Sequence, residues 1–246
     1  MTKQKGLVSF TLFGDQPVYT VGAVKNVQIW KDSEFDVDCR FYVGESVPRD
    51  VRHDLDRLGA DVRLVDRPED QTATFWRYDA LQKCDYDYIL FRDVDSRPFE
   101  REFHCIREWL AEGLPNHVIR DHPYHGVPIL AGLFGVKKEE FQNIGRQLPA
   151  VIPDDYYQMV NRVQTAERFL SNDFYQIDQW WLRLRVYPYM HNLVTAHDDF
   201  FSFERHRFKM PLPERPEDLA FIGEGFDELD NSRYPHHRQL ILGWPR

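Results

Sequence analysis

Strand and helix signals alternate through the first half of the chain with short connections. This predicts an α/β fold in one domain, with a mainly parallel central sheet flanked by helices. Two further observations point the same way. The run Tyr88 to Phe91 (YILF) is continuously apolar, as a strand covered on both faces is. The 246 residues, 42% hydrophobic and 15% aromatic, are enough for one large core.

Leu7 to Phe13 (LVSFTLF) reads as the first strand, ended by Gly14-Asp15. Pro17 suits the first turn of a helix that sets Val21, Val24 and Val27 on one face. Cys39 to Val43, closed by Gly44, is the second strand; Arg49 to Leu58 is a polar helix and Val62 to Val65 the third strand. A helix from about Thr72 to Lys83 is expected to bury Phe75, Tyr78 and Leu81 and to lead into YILF. This half has a Rossmann-like, nucleotide-binding layout.

The second half is less regular. Phe99 to Leu110 has helical spacing at Phe103, Ile106 and Leu110, with Gly113 as the stop. Val118 to Ile119 and Ile129 to Val136 are strand candidates, the latter carrying Gly132 and Gly135. Tyr156 to Leu170 is amphipathic, and a further helix capped near Ser171-Asn172 runs to about Arg185. Leu193 to Ala196 is the last expected core strand. The proline-rich stretch after Lys209 reads as an irregular arm on the surface.

With 31 Lys and Arg against 40 Asp and Glu, the net charge is −9, which argues against sequence-independent nucleic-acid binding. Cys39, Cys84 and Cys105 form no C-x-x-C pair and suit a reducing compartment. No apolar run approaches the ~18 residues of a membrane span. No long apolar region follows the first six residues, so no signal peptide is expected. These features predict a soluble, cytoplasmic protein without a transmembrane segment.

The chain contains four D-x-D pairs, and context separates them. Asp54/Asp56 lies in a polar helix, where residues two apart diverge by about 160°. Asp36/Asp38 and Asp85/Asp87 are read as preceding strands. Asp93/Asp95 follows the carboxyl end of YILF, where open α/β sheets bind ligands, and is flanked by Arg92 and Arg97. A carboxylate pair there suits a hard divalent cation, Mn²⁺ or Mg²⁺, that neutralises a diphosphate leaving group. The plainer alternative is a loop with two solvated carboxylates.

The segment Ile89-Leu90-Phe91-Arg92-Asp93-Val94-Asp95-Ser96-Arg97 resembles the D-x-D region of GT-A fold glycosyltransferases. It is especially similar to the small enzymes of capsular-polysaccharide and lipopolysaccharide synthesis and their relatives encoded by large viruses. The resemblance also takes in Phe10 to Asp15, Tyr19 to Ala23, Cys39 to Val43, Phe75-Trp76-Arg77, Arg120 to His125, Ile129 to Gly132 and Asp178-Gln179, in order across roughly residues 7 to 228. It implies a GT-A domain over residues 1–246. About 1–125 would form the nucleotide-sugar-binding half, about 126–210 the acceptor half and about 211–246 a C-terminal arm. The implied reaction moves a sugar from a nucleoside diphosphate sugar to a glycan hydroxyl, with Mn²⁺ or Mg²⁺ as cofactor.

By the same resemblance, Thr11, Phe13, Gly14 and Asp15 hold the nucleoside and Tyr19 stacks on its base, although core packing is the more frequent fate of aromatics such as Phe13 and Tyr19. Arg77 meets the donor's phosphate or sugar, or else forms an ion pair with Asp79 or Asp93. Asp93 and Asp95 hold the metal, with His197 as third ligand and His191 as runner-up. His122 and His125, separated by Pro123, make an improbable zinc pair and are expected in acceptor contacts or ordinary hydrogen bonds. Gly132 gives close backbone approach beside the sugar ring, or serves packing.

Asp178 projects within about 60° of Phe174 and Trp181 on a helix whose apolar stripe also includes Ile177 and Leu184, so its carboxylate faces inward. It is the candidate general base if the reaction inverts, and a donor-sugar ligand if it retains. Otherwise it is a buried partner of Arg183, Arg185 or another basic residue. Asp121 is the alternative base. The segment Phe221 to Glu228 resembles a closing motif that covers the site. Two rival functions remain. A sugar-nucleotide nucleotidyltransferase would need a Gly-rich basic loop that Gly14-Asp15-Gln16-Pro17 lacks. A non-catalytic carbohydrate- or protein-binding module would have no need of Asp93, Asp95 and Asp178.

Overall fold

The computed structural model describes residues 4–82, 84–148, 177–204 and 209–244. These form an eight-stranded sheet in the order β3-β2-β1-β4-β6-β5-β7-β8. The strands are β1 Lys5–Leu12, β2 Asp36–Val43, β3 Asp61–Leu64, β4 Tyr88–Arg92, β5 Asn116–Arg120, β6 Leu133–Lys137, β7 Val194–Asp198 and β8 Lys209–Met210. All pairings are parallel except those of β6 with β4 and β5. The mainly parallel α/β sheet flanked by helices is the expected fold class. The strand order reverses between the parallel neighbours β1 and β4, which makes their carboxyl ends the topological switch point where open α/β sheets bind ligands.

Period-two alternation sorts the strand residues between two apolar layers. Val8, Phe10, Leu12, Tyr88 and Leu90 face α1 (Pro17–Asp32), α2 (Arg49–Arg57) and α3 (Glu100–Glu112), with Trp30 and Trp109 filling the layer. Leu7, Ile89, Phe91 and Phe134 face the opposite way. They pack on the 3₁₀ segment Gln71–Leu81 and on the consecutive segments Ile177–Trp181 (α), Leu182–Val186 (π) and Tyr187–Met190 (α).

Several expected elements differ in detail. The stretch before β4 is 3₁₀ rather than α; Phe75, Tyr78 and Leu81 are spaced by three, the 3₁₀ period, and are buried as expected. In α1 the inward face is Ala23, Asn26, Val27 and Trp30, with Val21 and Val24 at its margin. Asp36 and Asp38 lie inside β2 rather than before it. β6 begins at Leu133, so Ile129 to Gly132 is a connection leading into it. Leu184 is exposed because the wider π turn rotates the apolar stripe away from it; Leu182 and Val186 are buried instead. The helix expected over Tyr156 to Leu170, and the start of the next near Ser171, lie outside the described residues. The C-terminal arm contributes Leu212 and Ile222 to a buried cluster with Cys105 and Ile119, so it is partly core. No helix among the described residues is long and apolar enough to cross a membrane.

Candidate active site

Asp93 is the first residue beyond β4. The antiparallel register Arg92↔Leu133 brings Gly132 opposite it. A Cβ on Gly132 would lie 2.1 Å from Asp93 Oδ2, so only a glycine lets the connection run this close to the carboxylate.

The loop after Asp93 is held from α1. Asn26, fully buried, donates from Nδ2 to the carbonyls of Gly22, Val94 and Ser96, each at 3.0 Å. Gly22 permits the approach, since a Cβ there would meet Val94 O at 2.4 Å. Arg97 Nη1 adds bonds to the Val94 and Ser96 carbonyls at 3.1 and 3.0 Å. Two side chains thus brace the loop between and beyond the two aspartates with four hydrogen bonds to its backbone.

Arg77 is presented by the 3₁₀ segment. Its backbone N–H donates to Thr11 Oγ1 at 3.0 Å, and Ser9 Oγ donates to its carbonyl at 2.7 Å. Its guanidinium donates to Thr74 O at 3.1 Å, Arg92 O at 3.1 Å and Asp93 Oδ1 at 2.5 Å, and lies 3.9 Å from Asp178 Oδ2. Burial alone would lower its pKa, but the charge of Asp93 and its neighbours prevails and raises it. Arg77 therefore stays cationic, linking the half-exposed Asp93 to the buried Asp178.

Asp178 faces inward as its helix position predicts. It accepts from Tyr78 Oη at 3.3 Å and from the Gln179 backbone N–H at 2.9 Å, and burial raises its pKa. Its basic neighbour is Arg77; Arg183 instead stacks over Trp180 at 5.1 Å. Gln179 Oε1 accepts from the Ala131 N–H at 2.9 Å, and its Nε2 donates to Ile129 O, pinning the connection that carries Gly132.

Asp95 is held by the arm. Its backbone carbonyl accepts from Phe226 N–H at 2.8 Å, and its carboxylate accepts from Arg233 Nη1 at 2.7 Å. Burial, then the charge of Asp93, raises its pKa. The segment expected to cover the site does lie against the D-x-D loop, through the Ser96↔Gly225 bridge.

The remaining expected residues divide. Phe13 packs edge-on against Trp76 at 6.0 Å, Gly14 takes a positive φ of 77° and donates to Ser46 Oγ at 2.6 Å, and Asp15 is exposed. Tyr19 lies within hydrogen-bonding reach of Arg233. Thr11 anchors Arg77 by accepting from its backbone N–H at Oγ1.

Two expectations are corrected. His197 is fully buried in β7, with Nδ1 2.8 Å from His117 Nε2 and Nε2 3.0 Å from Glu108 Oε2; both ring nitrogens are taken, and neither partner belongs to the D-x-D loop. Burial lowers its pKa. The runner-up His191 is exposed, with Nδ1 3.0 Å from Pro188 O. Asp121 is also unsuited to act as a base. Fully buried, it accepts from Arg101 Nε and Nη2 at 2.9 and 2.8 Å, from Ile222 N–H at 2.9 Å and from Arg215, which leaves no lone pair facing a substrate. It ties α3 to the arm. His122 and His125 make ordinary hydrogen bonds: each accepts at Nδ1 from a nearby backbone N–H, of Tyr124 at 3.0 Å and of Asp121 at 3.1 Å. Among the described residues no three His, Cys, Asp or Glu side chains converge on one point.

Asn26 and Arg233 were missed from the sequence. A polar residue within the inward stripe of α1 was a usable signal for Asn26. Arg233 is 138 residues from Asp95 and gave none.

No protein-family profile matches the chain, and no curated protein matches it in sequence. Among solved structures it is similar to glucosyl-3-phosphoglycerate synthase from Mycobacterium tuberculosis in complex with Mn²⁺, UDP-glucose and glycerol 3-phosphate. The identity is 14%, the coverage 56% of this chain and 58% of that one, and the TM-score 0.39. The same enzyme in complex with UDP covers 69% of this chain and 82% of its own at 14% identity and a TM-score of 0.42. The mannosyltransferase PcManGT from Pyrobaculum calidifontis, in complex with GDP-Man and Mn²⁺, is 12% identical, with 59% and 48% covered and a TM-score of 0.44. The first of these matches spans less than two thirds of the synthase's own length. At TM-scores below 0.5, these likenesses establish no activity for this chain.

Proposed function

We propose that this chain is a metal-dependent glycosyltransferase of GT-A fold, moving a sugar from a nucleoside diphosphate sugar to a glycan hydroxyl. One observation carries the reading: two aspartates on a loop braced from α1, at the carboxyl end of β4 where the strand order reverses, stand near a buried arginine and a third carboxylate that is buried.

A divalent cation suits this pair. Burial and the neighbouring Asp93 raise the pKa of Asp95, so the two carboxylates repel, and a cation between them would relieve that repulsion. Two carboxylate oxygens, completed by water and phosphate, are the usual donor set for Mg²⁺, and Mn²⁺ accepts it equally. With His197 engaged elsewhere, the donor set is oxygen only and does not select Mn²⁺ over Mg²⁺. When bound, the cation supplies Lewis-acid neutralisation of the departing diphosphate.

The chain's own residues do the remaining work. Asn26, Gly22 and Arg97 set the loop, and Gly132 leaves room for Asp93. Arg77 holds Asp93 in orientation and puts positive charge beside the phosphates. Asp178 is the carboxylate placed to orient the donor sugar or to take the acceptor proton. With both oxygens hydrogen-bonded and only 4% of the residue exposed, it favours the orienting role. Phe13, Gly14, Asp15 and Tyr19 rim the same edge as candidate nucleoside contacts.

The test is hydrolysis and transfer with a panel of nucleotide sugars, with and without Mn²⁺, for the wild type and Asp95→Asn. Metal-dependent turnover that Asp95→Asn abolishes, with folding intact, supports the reading. If no nucleotide sugar is bound or turned over, a binding module on this fold replaces it.

A further inference from the structure

Each aspartate of the pair already holds an arginine, and the two arginines differ in kind. Arg77 is buried and fixed by three acceptors besides its contact to Asp178. Arg233 reaches Asp95 from the arm, and its side chain is 30% exposed. Among the described residues its guanidinium also meets Tyr19 and the Tyr234 ring, 5.5 Å from the guanidinium carbon, and neither is a carboxylate.

The Arg233 backbone, by contrast, is anchored. Its N–H donates to Gly225 O at 2.9 Å, next to a tight turn in which Asp227 accepts from the N–H groups of Leu229 and Asn231 and from Asn231 Nδ2. Lys25 and Arg97 pin that turn through Asp230 at 2.6 and 3.1 Å. The side chain can therefore leave Asp95 while its root stays within reach of the same edge.

A divalent cation on Asp95 Oδ2 competes by position and like charge with the guanidinium 2.7 Å from that oxygen, and the partly exposed Arg233 can yield where the buried, multiply anchored Arg77 is held. Displaced, Arg233 is an unpaired planar fork beside the place where the diphosphate must lie, and such forks bind phosphate oxygens in pairs. We infer that Arg233 is an exchangeable ligand: it neutralises Asp95 until a divalent cation takes that carboxylate, and then turns to the diphosphate of the donor. This inference rests on the metal-dependent reading above.

The test uses the full chain, with Mn²⁺ binding followed by electron paramagnetic resonance, alone and then with inorganic pyrophosphate as the diphosphate probe. Circular dichroism checks that the variants fold. Arg233→Ala is expected to bind Mn²⁺ alone roughly 2- to 5-fold more tightly, because a partly exposed competing ion pair is gone. In the presence of Mn²⁺ it should bind pyrophosphate roughly tenfold more weakly, because a charge-assisted bond is lost. Arg233→Lys, which keeps the charge without the fork, should fall between wild type and Arg233→Ala on both measures. The opposite signs are the signature, since simple damage to the arm would weaken both. Unchanged or weaker Mn²⁺ binding by a folded Arg233→Ala, or unchanged pyrophosphate binding, overturns the inference while leaving the metal site standing. Failure of the wild type to bind Mn²⁺ overturns both this inference and the proposed function.

Discussion

Gly132→Ala separates the scaffold from the chemistry. The new Cβ would sit 2.1 Å from Asp93 Oδ2 and 2.5 Å from its Cγ, against an ordinary contact of 3.4 Å or more, so the carboxylate must retreat by about 1.3 Å. The obstacle is the end of a half-exposed side chain rather than backbone, and the fold can yield. The stability cost is the loosened Arg77–Asp93 pair, discounted because Asp93 is half-exposed, and should be about 1 kcal/mol or less. The metal site has no such tolerance. Oxygen–cation distances vary by only ~0.2 Å, and a misplacement of ~1 Å near a reacting centre costs about 10²-fold in rate. Urea denaturation should therefore show a nearly unchanged midpoint, while Mn²⁺ affinity and metal-dependent turnover fall by about two orders of magnitude. A Gly132→Ala protein with wild-type Mn²⁺ affinity would refute the placement of the cation against Asp93.

Four other outcomes follow from the same geometry. Asp121→Asn leaves buried Arg101 short of a counter-charge and should lose about 3–5 kcal/mol by chemical denaturation; normal stability with abolished turnover would restore Asp121 as a base. His197→Gln should leave Mn²⁺ affinity unchanged while costing about 1–3 kcal/mol through the stranded partners His117 and Glu108, and a specific loss of metal binding would reverse that assignment. Because burial lowers the pKa values of His117 and His197, the unfolded chain takes up protons first, so their contribution to stability is complete at high pH and declines as pH falls below about 6.5. Finally, the raised pKa of Asp95 means that Mn²⁺ affinity in a calorimetric pH series should begin to fall while the pH is still above the ordinary aspartate value of about 3.9, and an affinity that stays constant down to that pH would refute this.

What could be read from the chain was local. A continuous apolar run marks β4, and position after its carboxyl end separates Asp93/Asp95 from three similar pairs; in the sheet that end lies where the strand order reverses. Helix phase alone turned Asp178 inward. The failures have common physical causes. His197 and Asp121 were judged by residue type and by position at a strand end, yet partners from α3 and the arm, remote in sequence, take up their hydrogen-bonding capacity. Spacing by three fits a 3₁₀ segment as well as an α-helix, so the turn presenting Arg77 was misnamed although its buried face was right. A single π turn was enough to expose Leu184.

Asp95 and Arg233 stand 138 residues apart, and the hairpin joining Phe226 to Ser232 sets the second against the first. During synthesis all eight strands are complete before that hairpin is made, so the nascent protein carries its acidic pair without the counter-charge that the finished arm supplies. A protease nick within the hairpin would likewise leave the sheet whole while freeing Arg233 from Asp95, so intact secondary structure would be a poor measure of whether a preparation is competent.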